Sequence, residues 1–186
     1  MSLFKKLTPR LLRSDEGSVL AEIALSIPLY IGLLSGMFEV GNYAILHMKI
    51  QHTVVTIADL MTRDEEINES VMADIFQVVP EILAPYNAAP NTITIVSAIS
   101  QTEDIPISVF WQRSGGGTLT ATSELGLEGE TAILPNTLTL RDNETILATE
   151  VFYHFEPLIF SFLPETTIRR VSYFRPRIGA LQEIES

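Results

Sequence analysis

The sequence predicts an α+β protein in which a long N-terminal membrane-spanning helix continues into a globular domain built on an antiparallel sheet. Three observations carry that reading. Residues 19–38 run VLAEIALSIPLYIGLLSGMF with Glu22 as the sole charged member, and at about 1.5 Å per helical residue they reach roughly 30 Å, the thickness of a bilayer core. Residues 39–63 stay helix-compatible and free of proline. From residue 92 onward the apolar positions change from a helical period to alternation, the pattern of strands, and helices followed by a run of strands imply an α+β domain.

Each element follows from its own residues. Residues 1–17 form a basic leader, with Lys5, Lys6, Arg10 and Arg13 set against Asp15 and Glu16. Positive charge concentrated beside an apolar span marks the cytoplasmic side, so the N-terminus is expected inside and everything after Glu39 outside. The membrane helix is assigned to 18–40. Pro28 lies within it, which membrane helices tolerate when neighbouring groups satisfy the freed backbone, and a kink is expected there. A cleaved signal peptide has a similar basic start, but its apolar stretch is shorter and closes on small residues, whereas this one closes on Met-Phe-Glu. Residues 41–63 prolong the helix beyond the membrane, with Ile45, Met48, Val55 and Met61 among its apolar positions, and residues 64–186 form the α+β domain, periplasmic or extracellular.

Within that domain an acidic break, Asp64-Glu65-Glu66, precedes an amphipathic helix over 69–83. Its apolar side is read as Val71, Ile75, Val78, Val79 and Ile82, with Pro80 interrupting it. Pro85 and Pro90 bracket a linker. TITIVSAIS and ISVFWQ alternate as half-buried strands, glycines 115–117 form a flexible turn, Thr137 to Leu140 and Thr145 to Phe155 flank an Asp142-Asn143 turn as further strands, and Ile168 to Phe174 closes the set.

Composition excludes several kinds of chemistry. A net charge of −11 leaves no broad basic surface to neutralise phosphates, so no nucleic acid is expected as a partner. With no cysteine there is no disulfide, thiolate nucleophile or Cys-based zinc site. His47 and His52 are five residues apart, about 140° around a helix, which is unsuited to chelating one metal. No H-E-x-x-H, G-x-S-x-G, P-loop or dinucleotide fingerprint occurs. An acid pair such as Glu150 with Glu156 has nothing to single it out beyond lying on a strand candidate. No cofactor, no metal and no catalytic residue is therefore expected, and the chain is not read as an enzyme. Asn68 and Asn143 each begin an N-x-S/T acceptor pattern, relevant only in a host that glycosylates.

The informative residues lie in and beside the span. Glu22 is a carboxylate inside an apolar run, where ionisable groups normally face a partner rather than lipid. At about 100° per residue, Glu22, Gly32, Gly36 and Glu39 fall within an arc of roughly 100°. Gly32-Leu-Leu-Ser-Gly36 has the small-xxx-small spacing that lets helices approach closely in lipid. One face of the span is thus small and acidic, suited to helix-to-helix assembly.

The run from Arg13 through Gly17, Ser18 and Glu22 to Leu25, followed by Ile27-Pro28-Leu29 and Gly36-Met-Phe-Glu39-Val-Gly41, resembles the TadE-like minor pilins, or pseudopilins, of the tight-adherence (Tad) pilus. The segment from Phe152 to Leu158 and Arg175-Pro-Arg177 are similar to the C-terminal strand region of TadE- and TadG-like proteins, with less specificity. The resemblance implies a pilin-like fold and a bacterial inner-membrane protein. It also implies cleavage between Gly17 and Ser18 by a prepilin peptidase, with Glu22 then the fifth mature residue and able to set subunit register by pairing with a neighbour's new amino terminus. It implies as partners other minor pilins of the TadF or TadG type, the peptidase, the inner-membrane platform of the pilus and membrane lipid, in priming or basing a filament used in adherence. Two features depart from the main filament pilins, which carry tyrosine where this chain has Ile23 and lack so large a domain. The other classes weighed are a single-pass ligand-binding or adaptor protein and an anchored hydrolase.

Overall fold

The computed structural model describes residues 15–63, 68–102, 105–159 and 163–176. Their element order is α1 (Asp15–Met61), α2 (Glu69–Leu83), α3 (Ala88–Asn91), β1 (Thr92–Gln101), β2 (Ser108–Gly115), β3 (Glu144–Phe155) and β4 (Thr166–Phe174). The four strands form one antiparallel sheet in the order β2-β1-β3-β4. The α+β layout is as expected. Among the described residues, α1 is long and apolar enough to cross a membrane. The chain divides into two compact units, Met1–Asn42 with Pro157–Pro164, and Tyr43–Glu156 with Glu165–Ser186.

In the first unit α1 begins at Asp15 and passes through Pro28 without a break. Gly17 and Ser18 therefore lie in its first turn, and the helix starts three residues ahead of the expected residue 18. The basic side chains assigned to the leader lie outside the described residues. Leu25, Leu29 and Leu33 are 78%, 68% and 61% exposed; apolar surface on this scale is stable only against lipid or other helices.

In the second unit the remainder of α1 is amphipathic. Leu46, Ile50, Val54, Ile57 and Met61 recur at three- and four-residue intervals and are fully buried, forming one helical stripe. Ile45, Met48 and Val55 are exposed instead. The helix stops at Met61, where the Thr62 hydroxyl and backbone N–H both donate to the Ala58 carbonyl. The acidic break at 64–66 lies outside the described residues.

Helix α2 has the expected limits, with the Asn68 side chain accepting from the Val71 N–H at 2.9 Å as its N-cap. It runs through Pro80 to Leu83. Its buried face is Met72, Phe76, Val79 and Leu83: Val79 is buried as expected, while Met72, Phe76 and Leu83 replace the expected Val71, Ile75, Val78 and Ile82, a shift of one residue. The reason lies in the glycines that end and follow β2. A Cβ at Gly115 would stand 2.5 Å from the Phe76 ring, and Gly116, at φ +79°, lies against Val79. The bulky residues of α2 seat where the backbone has no side chains. Glycines 115–117 are accordingly a packing surface and not the flexible turn anticipated.

β1 is buried along nine of its ten residues, so it is covered on both faces, unlike the half-buried strand anticipated. On one face lie α1 and α2: Tyr43 meets Phe155 edge-on at 4.9 Å between centroids, and Lys49 Nζ donates to the Ile82 carbonyl. On the other, the connection between β2 and β3 folds back under the sheet, and Leu125, Ala132 and Leu140 join Ile99, Val109, Ile146 and Ala148 in one apolar cluster. Thr137 to Leu140 forms no strand, because Leu138 and Leu140 are drawn into this cluster while Leu138 N–H closes a turn on Pro135. The Asp142-Asn143 turn is present: Asn143 takes φ +60°, and its N–H donates to Gln101.

Candidate functional site

The first unit contains one polar centre in apolar surroundings. Glu39 lies at the end of the apolar run, and its side chain is fully buried. Burying a carboxylate is costly without donors. Two are supplied by the segment after β3: Leu158 N–H donates to Oε1 at 2.8 Å and Ile159 N–H to Oε2 at 3.0 Å. Each oxygen takes one backbone donor, so the carboxylate holds two consecutive peptide groups. Helix phase alone set Glu39 beside Glu22 and the two glycines; here it serves a contact within its own chain.

The other residues of the anticipated face are open. Glu22 is exposed and, among the described residues, its carboxylate has no partner. The Ser26 hydroxyl donates to its backbone carbonyl, a bond to residue i−4 that bends helices slightly. A Cβ built on Gly32 or Gly36 meets nothing within 4 Å. Gly17 and Ser18 are described as helix only.

The second unit carries two polar centres that periodicity did not reveal. Glu150, fully buried, takes Arg169 Nη2 at 2.7 Å and Nε at 2.8 Å on Oε1. The Glu124 N–H donates to the same oxygen at 3.2 Å, and the Ser123 hydroxyl donates to Oε2. Arg169 Nη1 also reaches Glu124 at 3.2 Å. The group fastens the β2–β3 connection to the sheet. Glu156 forms no pair with Glu150; it faces His154 at the surface.

His47 is the second centre. Its Nδ1 lies 2.7 Å from Arg170 Nη2. A guanidinium only donates, so Nδ1 accepts and the ring proton sits on Nε2, which is buried without a partner. Burial, reinforced by the Arg170 charge, holds His47 below its usual value.

Neither of two larger hollows assembles a reactive pair. One of about 330 Å³ is lined by Tyr173 and by one charged residue, Arg175, which is paired with Glu144 at 2.6 Å. An open apolar groove of about 450 Å³ between α2 and glycines 115–117 has none. Among the described residues no group of three His, Asp or Glu is placed to hold a metal. Asn68 and Asn143 serve as helix cap and turn. Comparison with protein-family models, with curated proteins and with solved structures returns no match.

A sequence signal for the Glu39 centre does exist. PLIFSFLP, residues 157–164, is an apolar run without an ionisable residue, bracketed by proline and then by Glu156 and Glu165.

Proposed function

We propose that this chain is a structural, TadE-like minor pilin or pseudopilin, anchored in the bacterial inner membrane by residues 19–38 and acting in assembly of a Tad-type pilus without turning over a substrate. The observation that carries the reading is an exposed apolar helix that starts beside Gly17, bears Glu22 five residues later, and runs on into a folded domain. An exposed acid in an otherwise apolar helix favours pairing with a cationic group of a neighbour. Removal of the leader after Gly17 creates such a group at Ser18. A pair of this kind penalises wrong registers more than it adds net stability. Gly32 and Gly36, with open space over them, provide the close-approach surface for a second helix. The domain is presented outside the cytoplasm to TadF- or TadG-like partners, and the peptidase and the inner-membrane platform are met at the leader end.

The scissile bond falls in the first turn of α1, where helical N–H groups lack intrahelical acceptors and the backbone opens most readily. The test is the mature N-terminus, read by intact mass and terminal sequencing of protein extracted from membranes with and without the prepilin peptidase. A chain starting at Ser18 only when the peptidase is present is the expected result. A start at Met1 in both cases removes processing from the proposal, and a start near residue 40 defeats the anchor and the pilus reading together.

A further inference from the structure

We infer that the outer edge of β2 at Ser114 is a strand-addition site, and that its occupant is an extended, basic segment of another protein that sets apolar residues into the groove beside α2. The inference concerns the second unit alone and is independent of the pilus reading.

β2 is one of the two edge strands of the sheet, and an open edge recruits other strands unless it is covered. Most of this edge is covered. Val109 N–H donates to the Glu130 carbonyl at 3.0 Å, and Gly129 N–H donates to the Val109 carbonyl at 2.8 Å. Further along, the Gln112 N–H donates to the Glu128 carboxylate at 3.1 Å, and the Gln112 carbonyl accepts from Arg113 Nη1 at 2.9 Å. Arg113 and Gly115 face inward to pair with Val96 and Thr94, so strand alternation puts the next outward N–H and C=O at Ser114. Ser114 is exposed, and among the described residues neither group has a partner.

A hollow lies on each side of this gap, and Ser114 lines both. Toward α2 is the open groove of about 450 Å³, walled by Phe76, Gln77, Pro80 and Ala89. Toward the β2–β3 connection is a smaller one of about 250 Å³, walled by Ile95, Gln112, Ala121 and Ser123. An extended chain sends successive side chains to opposite faces. A strand paired at Ser114 therefore fills both hollows, with apolar residues beside α2 and a small polar one between them. The charge of the occupant follows from the rim. Between Arg63 and Arg141 the sequence has one basic residue, Arg113, and it is already held by Glu69 at 2.8 Å and Glu128 at 3.3 Å. Asp74 and Glu81 stand exposed on α2, before and after Gln77. This acidic rim is complementary to lysine or arginine and repels the same edge of a second copy.

The probe is the fluorescein-labelled, amidated peptide KTVSVTK, titrated with full-length protein in dodecyl maltoside micelles against empty micelles and read by anisotropy. A saturable rise with protein alone is the expected result. KTVPVTK lacks the N–H aimed at the Ser114 carbonyl, and Ser114→Pro removes the N–H at the edge; each weakens binding about tenfold. ETVSVTE on the parent, and KTVSVTK on protein carrying Asp74→Lys with Glu81→Lys, each bind about fivefold more weakly. The urea transition of Trp111 checks that the variants are folded, and the two peptide exchanges are read on unaltered protein. Absence of saturable binding up to about 1 mM, or equal binding of KTVSVTK and KTVPVTK, overturns strand addition. Equal binding of KTVSVTK and ETVSVTE overturns the basic occupant. Sedimentation showing dimers of the parent and monomers of Ser114→Pro gives the edge to a second copy and overturns the separate partner.

Discussion

Arg169→Met tests how the second unit is held together. The substitution keeps the aliphatic stem and removes the guanidinium, leaving the fully buried Glu150 carboxylate with the Ser123 hydroxyl and the Glu124 N–H as donors. Removing one partner of a buried ion pair costs about 3–5 kcal/mol. Two donors remain, and the Arg169 side chain is 24% exposed, so the lower end, about 3 kcal/mol, applies. Arg175→Met is the control. Its pair with Glu144 is shorter still, 2.6 Å, but the arginine is 63% exposed, and an exposed pair contributes about 0.5 kcal/mol. With a urea dependence of about 2 kcal/mol per molar, Arg169→Met lowers the unfolding midpoint by about 1.5 M and Arg175→Met by about 0.25 M. Trp111, the single tryptophan and 5% exposed, reports the transition in full-length protein held in detergent micelles. Glu150→Gln combined with Arg169→Met recovers most of the loss, because the amide oxygen still accepts without leaving a bare charge in the interior. Equal midpoint shifts for Arg169→Met and Arg175→Met would refute the argument that burial, rather than distance, decides what these pairs contribute.

Three further outcomes are expected. Because the folded state holds His47 below its ordinary value, the unfolded chain binds the proton first as pH falls. Stability from this site is therefore complete above about pH 6.5 and is lost as pH drops through the depressed folded value. Urea midpoints between pH 7.5 and 5 should decline in the parent, and His47→Gln should flatten that decline; an undiminished slope in the variant assigns the pH dependence to other groups. Gly116→Ala places a methyl 2.8 Å from Val79 at a backbone φ of +79°, and a loss of about 1–3 kcal/mol is expected in the same urea titration. Gly41→Ala, which meets nothing within 4 Å in mid-helix, should change stability in the opposite direction by up to about 1 kcal/mol.

What could be read from the sequence was whatever repeats locally. The limits of α2, the Asp142-Asn143 turn and all four strands of the sheet rest on period, proline and turn chemistry within short windows. Which face each element buries was less legible. Val78 and Phe76 are both apolar, and only the bare backbone at Gly115, some forty residues on, selects Phe76. Thr137 to Leu140 has strand-like residues, yet its leucines are taken by a cluster assembled from β1, β2 and β3. The candidate site shows the same division. Glu22, Gly32 and Gly36 are open on the helix, where local counting suffices. Glu39 was visible as an acid at the boundary, but its two donors come from positions 119 and 120 residues away, beyond the reach of any periodicity. Glu150 looked like an ordinary strand residue for the same reason: its partners, Ser123 and Arg169, are set by the tertiary fold.

The sheet order has a consequence for how such a chain is made. β1 pairs with β2 across a short connection but takes its second neighbour, β3, only after residue 144. Synthesis adds about 5–20 residues per second, so a nascent chain has its β1–β2 hairpin ready roughly 1.5 to 6 seconds before β3 begins to emerge. Throughout that interval the free edge of β1, TITIVSAISQ, is an uncharged, β-prone segment of the kind that recruits foreign strands. The β2–β3 connection, which later underlies the sheet, is the first stretch to follow the hairpin out. Its arrival covers one apolar face while the strand edge still waits, so the period of greatest danger for this domain is set by translation speed and not by its final stability.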